Sequence, residues 1–234
     1  MSLIIHPLPG IPEVRRGDDL AALLLAALAR ARLVVTAGDV LVVTHKIVSK
    51  AEGAVVQLGG DEEQAYRALV LDEAVEVIRR RGDLVIAKTR HGFICANAGV
   101  DRSNAAQGTA VLLPRDPDSS AHGIRMAIKA SSGVDIAVII SDTFGRPWRR
   151  GLTDIAIGLS GMAALLDLKG TVDASGRELH VTEVAVADEI AAATDLVMGK
   201  AAAVPAALVR GLEVPAGDGR ATDLVRSPEE DLFR

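Results

Sequence analysis

Leu84-Val85-Ile86-Ala87, Phe93-Ile94-Cys95-Ala96 and Thr109-Ala110-Val111-Leu112-Leu113 follow one another with no room for a helix between the first two. Only the small-residue loop Asn97-Ala98-Gly99-Val100-Asp101-Arg102-Ser103-Asn104 and a few residues more separate the third. Each apolar run is short and bounded by glycine or asparagine, the pattern of a strand. Neighbouring strands without a helix between them argue against a regular doubly wound sheet and for a mixed α+β fold.

Working outward, Asp61–Arg81 reads as one long helix with an acidic start and the basic end Arg79-Arg80-Arg81, a charge order that suits the helix dipole. Upstream, Asp18 or Asp19 can cap a helix through Leu20–Ala31, and Val40-Leu41-Val42-Val43 reads as a buried strand. Three prolines in Pro7–Pro12 exclude helix there and predict an extended loop. Downstream, Asp116-Pro117-Asp118 is a helix start for a segment over Ser120–Ala130, and Val134–Ile140 is the clearest buried strand. Leu152–Leu166 in part and Ala185–Met198 read as helices, and Ala206–Arg210 as a last strand.

The 234 residues contain no repeat and no linker and fit one domain over 1–234. Hydrophobic residues make up 49%, aromatic residues only 2%, so Tyr66, Phe93, Phe144, Trp148 and Phe233 stand out. A net charge of −5 excludes a general nucleic-acid binder, whose affinity comes from neutralising phosphates. Cys95 is the only cysteine, which rules out an internal disulfide. It reads as a buried structural thiol rather than a nucleophile. The N-terminus has no basic start or long apolar run, so no signal peptide and no membrane segment are expected, and a cytoplasmic location is.

Three constellations could carry chemistry. In the loop Asn97–Asn104, Asp101 could hold a hard cation and Asn104 a phosphate oxygen or a base; an Asx turn closing the loop is the plainer alternative. In Ile139–Gly151, an apolar strand ends in Ser141-Asp142-Thr143 and runs into a loop with Arg146, Arg149 and Arg150, whose forks suit phosphate or carboxylate. In Thr44–Gly53, Lys46 and Lys50 are four apart and would share one helical face, fit for phosphates or merely solvated. No GxxxxGK[ST], GxGxxG, HExxH or GxSxG motif is present, and the five histidines lack ligand spacing. Residues alone therefore predict metal-assisted phosphate chemistry without naming a substrate.

These stretches together resemble the coenzyme F420-0:γ-glutamyl ligase family. The likeness runs through Leu8-Pro9-Gly10-Ile11, Gly38–Val43, Ile47–Gly53, Asn97–Asn104, Ser141–Gly151, Ala156–Gly161 and Ala187–Ala191, specific only in combination and in this order. The resemblance implies an unusual mixed-sheet fold of two interwoven lobes and a homodimer. It implies GTP-dependent addition of L-glutamate to coenzyme F420-0 through an acyl phosphate, releasing GDP, with further glutamates γ-linked. It also implies two divalent ions, Mg²⁺ or Mn²⁺, and a K⁺. By resemblance Asp101 and Asp142 bind the first metal and Thr143 the second. Leu8, Pro9, Gly10, Ile11, His45, Lys46, Lys50, Asn104 and the stretch Met198-Gly199-Lys200-Ala201-Ala202-Ala203-Val204 contact the nucleotide. Arg146, Arg149 and Arg150 are candidates, from charge, for the acyl phosphate or the anionic deazaflavin tail. Two departures matter. Lys200 stands where archaeal members carry an acid and cannot ligate a cation while protonated. His45 and Lys46 replace a small hydroxyl pair. Both changes resemble the actinobacterial-type domain, often fused to a C-terminal nitroreductase-like domain for which this chain has no room. Another phosphoryl-transfer enzyme, or a non-catalytic nucleotide- or deazaflavin-binding module, is the competing expectation.

Overall fold

A computed structural model describes residues 2–232; Met1, Phe233 and Arg234, which the single-domain reading included, lie outside the described residues. In chain order the elements are β1 (Ile4–Pro7), α1 (Leu20–Arg30), β2 (Val40–Thr44), α2 (His45–Glu52), β3 (Val55–Gln57), α3 (Glu62–Glu73), β4 (Ala74–Arg81), β5 (Leu84–Thr89), β6 (Ile94–Ala96) and β7 (Thr109–Val111). They continue with α4 (Pro117–Ser132), β8 (Ala137–Arg146), β9 (Arg149–Ser160), β10 (Leu166–Asp167), β11 (Glu183–Val184), α5 (Val186–Met198) and β12 (Ala206–Arg210).

The main sheet has the order β1-β12-β2-β8-β9, antiparallel throughout except for the parallel pair β2/β8. Residues 40–43, 137–141 and 206–209 are buried without alternation, as expected of strands covered on both faces. Helix α4 packs across β8 and β9 with α1 beside it, and α5 packs on β9, β1 and β12. Gly158 lets α4 come close: a Cβ there would stand 2.5 Å from the Pro117 backbone. A second, smaller core of Leu58, Val70, Val85, Ala87, Ala98, Val100 and Ala110 lies under α3, the sheet β4-β5-β6 and the ladder β3/β7. The mixed α+β class is as the sequence predicts.

Three elements differ from the sequence reading. The helix expected over Asp61–Arg81 ends at Glu73, and Ala74–Arg81 is a strand paired antiparallel with β5. Val75, Val77 and Ile78 are β-branched, and Gly82 at φ +59° gives the hairpin turn that lets them pair. Asp61 does cap the helix, through the amides of Glu63 and Gln64. The helix expected within Leu152–Leu166 is instead β9 over most of its length, and the loop expected after Thr143 is the outer part of a long β8–β9 hairpin. Here pairing with β8, buried over residues 137–141, decides the strand. The strand expected over Val134–Ile140 accordingly begins at Ala137 and runs on to Arg146.

Candidate functional site

The parallel pair β2/β8 ends at Thr44 and Ser141, and a cleft of about 700 Å³ opens beyond these carboxyl ends, the usual place for a ligand beside parallel strands. Its walls are the loop after β1 (Ile11–Val14), the start of α2, residues 104–106, Ser141–Thr143 in the middle of β8 with Asp154 of β9, and, around α5's end, Asp195, Met198–Ala201 and Ala203–Pro205. The turn from β2 into α2 is direct: Thr44 is the N-cap but makes no side-chain cap bond, so the first amides of α2 are left to other partners.

Of the residues picked from the sequence, Ile11, His45, Lys46, Lys50, Asn104, Asp142, Thr143, Met198, Gly199, Lys200, Ala201, Ala203 and Val204 line this cleft. Asp101 reaches it indirectly, its carboxylate 2.7 Å from the Lys46 ammonium. Leu8 is instead fully buried, its amide donating to the Ala206 carbonyl, and the Gly10 carbonyl accepts from Arg30. Neither they nor Pro9 nor Ala202 is part of the lining. Arg146 and Arg149 sit opposite each other at the exposed hairpin tip, where Arg146 donates to the Arg150 carbonyl. The tip lies four residues beyond Asp142, about 13 Å along the strand.

The cleft is electrically polarised. On one side, Lys46 donates to Ser103 Oγ at 2.7 Å and Lys50 to the Asn104 carbonyl at 2.8 Å and Glu13 at 2.6 Å. The two lysines do share one face of α2. Asp101 also forms the Asx turn, accepting from the Ser103 amide and hydroxyl. Burial alone would raise its carboxyl, but the bonds from Lys46 and Ser103 outweigh that and hold it below the usual range. Asn97 bolts the loop base: its amide nitrogen donates to Tyr66 Oη, its amide oxygen accepts from the Val85 amide, and Tyr66 donates to the Val100 carbonyl.

On the other side lie Asp142, Asp154 and Asp195. Asp154 is the residue that sequence reasoning missed. It is 3% exposed and accepts from Thr143 Oγ1 at 2.6 Å and Ser141 Oγ at 2.9 Å. Burial raises its carboxyl, the two hydroxyls pull it back, and the charges of Asp195 and Asp142 push it up again, leaving it above the usual range. The signal existed only as an acid inside an apolar run that was read as helix. His45 is 1% exposed; its Nε2 lies 3.2 Å from Asp142 Oδ1 yet is not aligned with it as a hydrogen bond. We therefore read the contact as electrostatic proximity, with the ring nitrogen unsatisfied.

Carboxylates and hydroxyls of this kind are hard oxygen donors suited to Mg²⁺ or Mn²⁺. Mutual repulsion among Asp142, Asp154 and Asp195 is what a cation would relieve. Among the described residues no three His, Cys, Asp or Glu side chains converge on one point, so the donor chemistry fits while water or phosphate oxygens would complete the coordination. Cys95 is buried, with its thiol pushed up to about 12 by burial and by the nearby Asp142 charge, and plays no nucleophilic part.

The pattern of the family described as F420-0:Gamma-glutamyl ligase matches residues 10–211. The chain belongs to that family. The coenzyme F420:L-glutamate ligase of Methanothermobacter thermautotrophicus is 42% identical over the whole of both chains. That of Methanopyrus kandleri is 42% identical over all of this chain and 98% of its own. The Methanocaldococcus jannaschii ligase is 43% identical over 84% of this chain and 85% of its own. The family stretches meet at the cleft: the loop after β1, the start of α2, the Asn97–Asn104 loop and the middle of β8 all reach it. The Ala187–Ala191 stretch, by contrast, is structural: Asp188 reaches from α5 to accept the Ala156 amide at 2.9 Å.

Proposed function

We propose that the chain joins L-glutamate to coenzyme F420-0 by an amide bond, using GTP, and extends the product with γ-linked glutamates. The observation carrying this reading is the polarised cleft itself, with lysines at one side and carboxylates at the other, built from the stretches that mark the family. A carboxylate is a poor acyl donor because its oxide is a poor leaving group. A carboxylate oxygen of the precursor attacks the γ-phosphorus and GDP leaves. The glutamate amine then attacks the acyl carbon, loses a proton, and phosphate leaves.

The residues divide the work by charge. Lys46, Lys50 and Lys200 face phosphate oxygens, as do the uncapped first amides of α2. Asp101, Asp142 and Thr143, with Asp154 behind Thr143, would hold Mg²⁺ or Mn²⁺, and a K⁺ belongs to the same reading. Bound there, a divalent ion supplies neutralisation of phosphate charge. Positioning and fixed dipoles do the remainder. Arg146 and Arg149, outside the cleft lining, suit the long anionic tail of the deazaflavin rather than the transferred phosphate. The same reading has the protein as a cytoplasmic homodimer.

The test is mass spectrometry of the precursor incubated with protein, glutamate, GTP and Mg²⁺ or Mn²⁺. A product heavier by one or more glutamyl units, absent with Asp142→Ala, is expected. GTP bound but no glutamylation by the wild type would overturn the ligase reading in favour of a binding module. An unchanged KM for the precursor in Arg146→Ala would remove the hairpin tip from the substrate path.

A further inference from the structure

Ser141 and Thr143 are two apart on β8 and face the same side of the sheet, and Asp154 stands directly opposite Thr143 on β9. Each hydroxyl has one proton to donate, and an ionised carboxylate can only accept. Here each hydroxyl gives its proton to a different oxygen of Asp154, at 2.9 Å and 2.6 Å. What is left on both hydroxyl oxygens is lone pairs, and both residues line the cleft.

An ionised group this deep is costly unless it is paired or needed. Among the described residues no lysine, arginine or histidine pairs with Asp154, and its charged neighbours named above, Asp195 and Asp142, are both negative. Across the corner, the 1%-exposed His45 leaves its Nε2 without a hydrogen-bond partner. A neutral acceptor would satisfy two hydroxyls at less cost, so the buried charge calls for a reason other than packing.

We propose that Asp154 is a positioning residue that draws both hydroxyl protons inward, so that Thr143, with Ser141 beside it, offers only acceptor oxygens to a divalent cation in the cleft. The inference rests on the metal-dependent reading above and adds a residue to it. Asp154→Asn tests it sharply. The amide nitrogen would donate to one hydroxyl, and that hydroxyl would turn its own proton toward the cleft, against a cation. Partners of this kind change metal affinity by about 10–100-fold.

The experiment is Mn²⁺ titration of the full chain, followed by electron paramagnetic resonance of free Mn²⁺ in saturating GDP, with thermal unfolding of every variant. Expected are wild-type-like binding in Thr143→Ser, and affinity at least about tenfold weaker in Asp154→Asn and Thr143→Val. The double variant should lose clearly less than the sum of the two single losses, because Asp154 acts mainly through that hydroxyl. Unchanged Mn²⁺ affinity in folded Asp154→Asn, or additive losses in the double variant, would overturn the proposal and leave the metal reading standing. A wild type that binds no Mn²⁺ would overturn both.

Discussion

At the residue scale, a contact outside the cleft that is hard to replace is Arg210 on Asp39. The guanidinium donates through Nε at 2.8 Å and Nη2 at 2.6 Å to a carboxylate that is 1% exposed, and also to the Val34 carbonyl. The pair ties the end of β12 to the turn before β2, across 171 residues of chain. Arg210→Ala would leave a buried carboxylate held only by the Thr36 amide and hydroxyl and without a counter-charge, and should cost about 2–4 kcal/mol, read by urea unfolding, with these bonds and the partly exposed Arg side keeping it below the fully buried limit. Arg210→Lys should recover only part, because one ammonium cannot replace a two-pronged fork. Cys95 gives a pH prediction. Its thiol is raised from 9.0 to about 12, so the folded state keeps a proton that the unfolded chain releases. The stability this gives is full below pH 9 and is lost as pH rises toward about 12, at roughly 1 kcal/mol per pH unit. Cys95→Ala should flatten that alkaline slope, and the native thiol should resist iodoacetamide at pH 8 until urea unfolds the protein. A slope unchanged by the substitution would place the effect elsewhere.

At the element scale, the instructive feature is the irregularity where β8 meets β9. Ile140 pairs with Gly158 but Ser141 pairs with Ala156, so Ile157 is an extra residue. One inserted residue exchanges the two faces of a strand, which aims Asp154 at Thr143. The Ala156 amide beside the bulge is taken by Asp188 of α5. Asp188→Ala should cost about 1–3 kcal/mol by stranding that donor, whereas Asp188→Asn keeps an acceptor and removes a buried charge, so its melting temperature should match or exceed the wild type. Equal losses in both variants would mean that the charge itself matters. Such bulges also mark where the sequence stops being legible. Strands β2 and β12 and helices α1, α4 and α5 are legible because each is an apolar run or an amphipathic segment complete in itself, with α1 and α4 also capped by Asp19 and Asp116. The break at Ala74 and the whole of β9 were not. Their state is set by pairing with the hairpin neighbours β5 and β8, not by a pattern inside each segment alone. The same holds for the site. Asp142, Thr143, Lys46 and Lys50 follow apolar runs in plain view, but Asp154 lies inside an element whose strand state the sequence hides, and its meaning depends on a residue opposite.

At the scale of the whole molecule, the lysine side of the cleft is also where the main core is tied to the smaller one, by one ion pair and two hydrogen bonds from ammonium groups. Lys46 and Lys50 rise from α2 on the main sheet; Asp101, Ser103 and Asn104 belong to the loop leaving the smaller core. These are also the lysines proposed to face phosphate, so on that proposal the loop and the phosphate would compete for one set of ammonium groups. Exposed ion pairs are weak, typically under about 1 kcal/mol, but these lysines are largely buried, at 16% and 13% side-chain exposure, and each has more than one acceptor. On the proposed function, a nucleotide that recruited them would loosen their hold on the loop and leave Asp101 held by Ser103 alone, open to a cation. Phosphate and metal would then bind with positive coupling and no large rearrangement, since each removes an obstacle to the other. Lys46→Gln should uncouple them. In the variant Asp101 is already released, so Mn²⁺ alone should bind several-fold more tightly than to the wild type, while GTP binds more weakly and no longer improves Mn²⁺ affinity. Amide hydrogen exchange over residues 101–106 should be fast in Lys46→Gln without any ligand and should rise in the wild type only when GTP is added. Exchange in that loop that is slow in both proteins, with Mn²⁺ affinity unchanged, would show that the lysine bridges do not restrain the loop and that Asp101 is open to metal from the start.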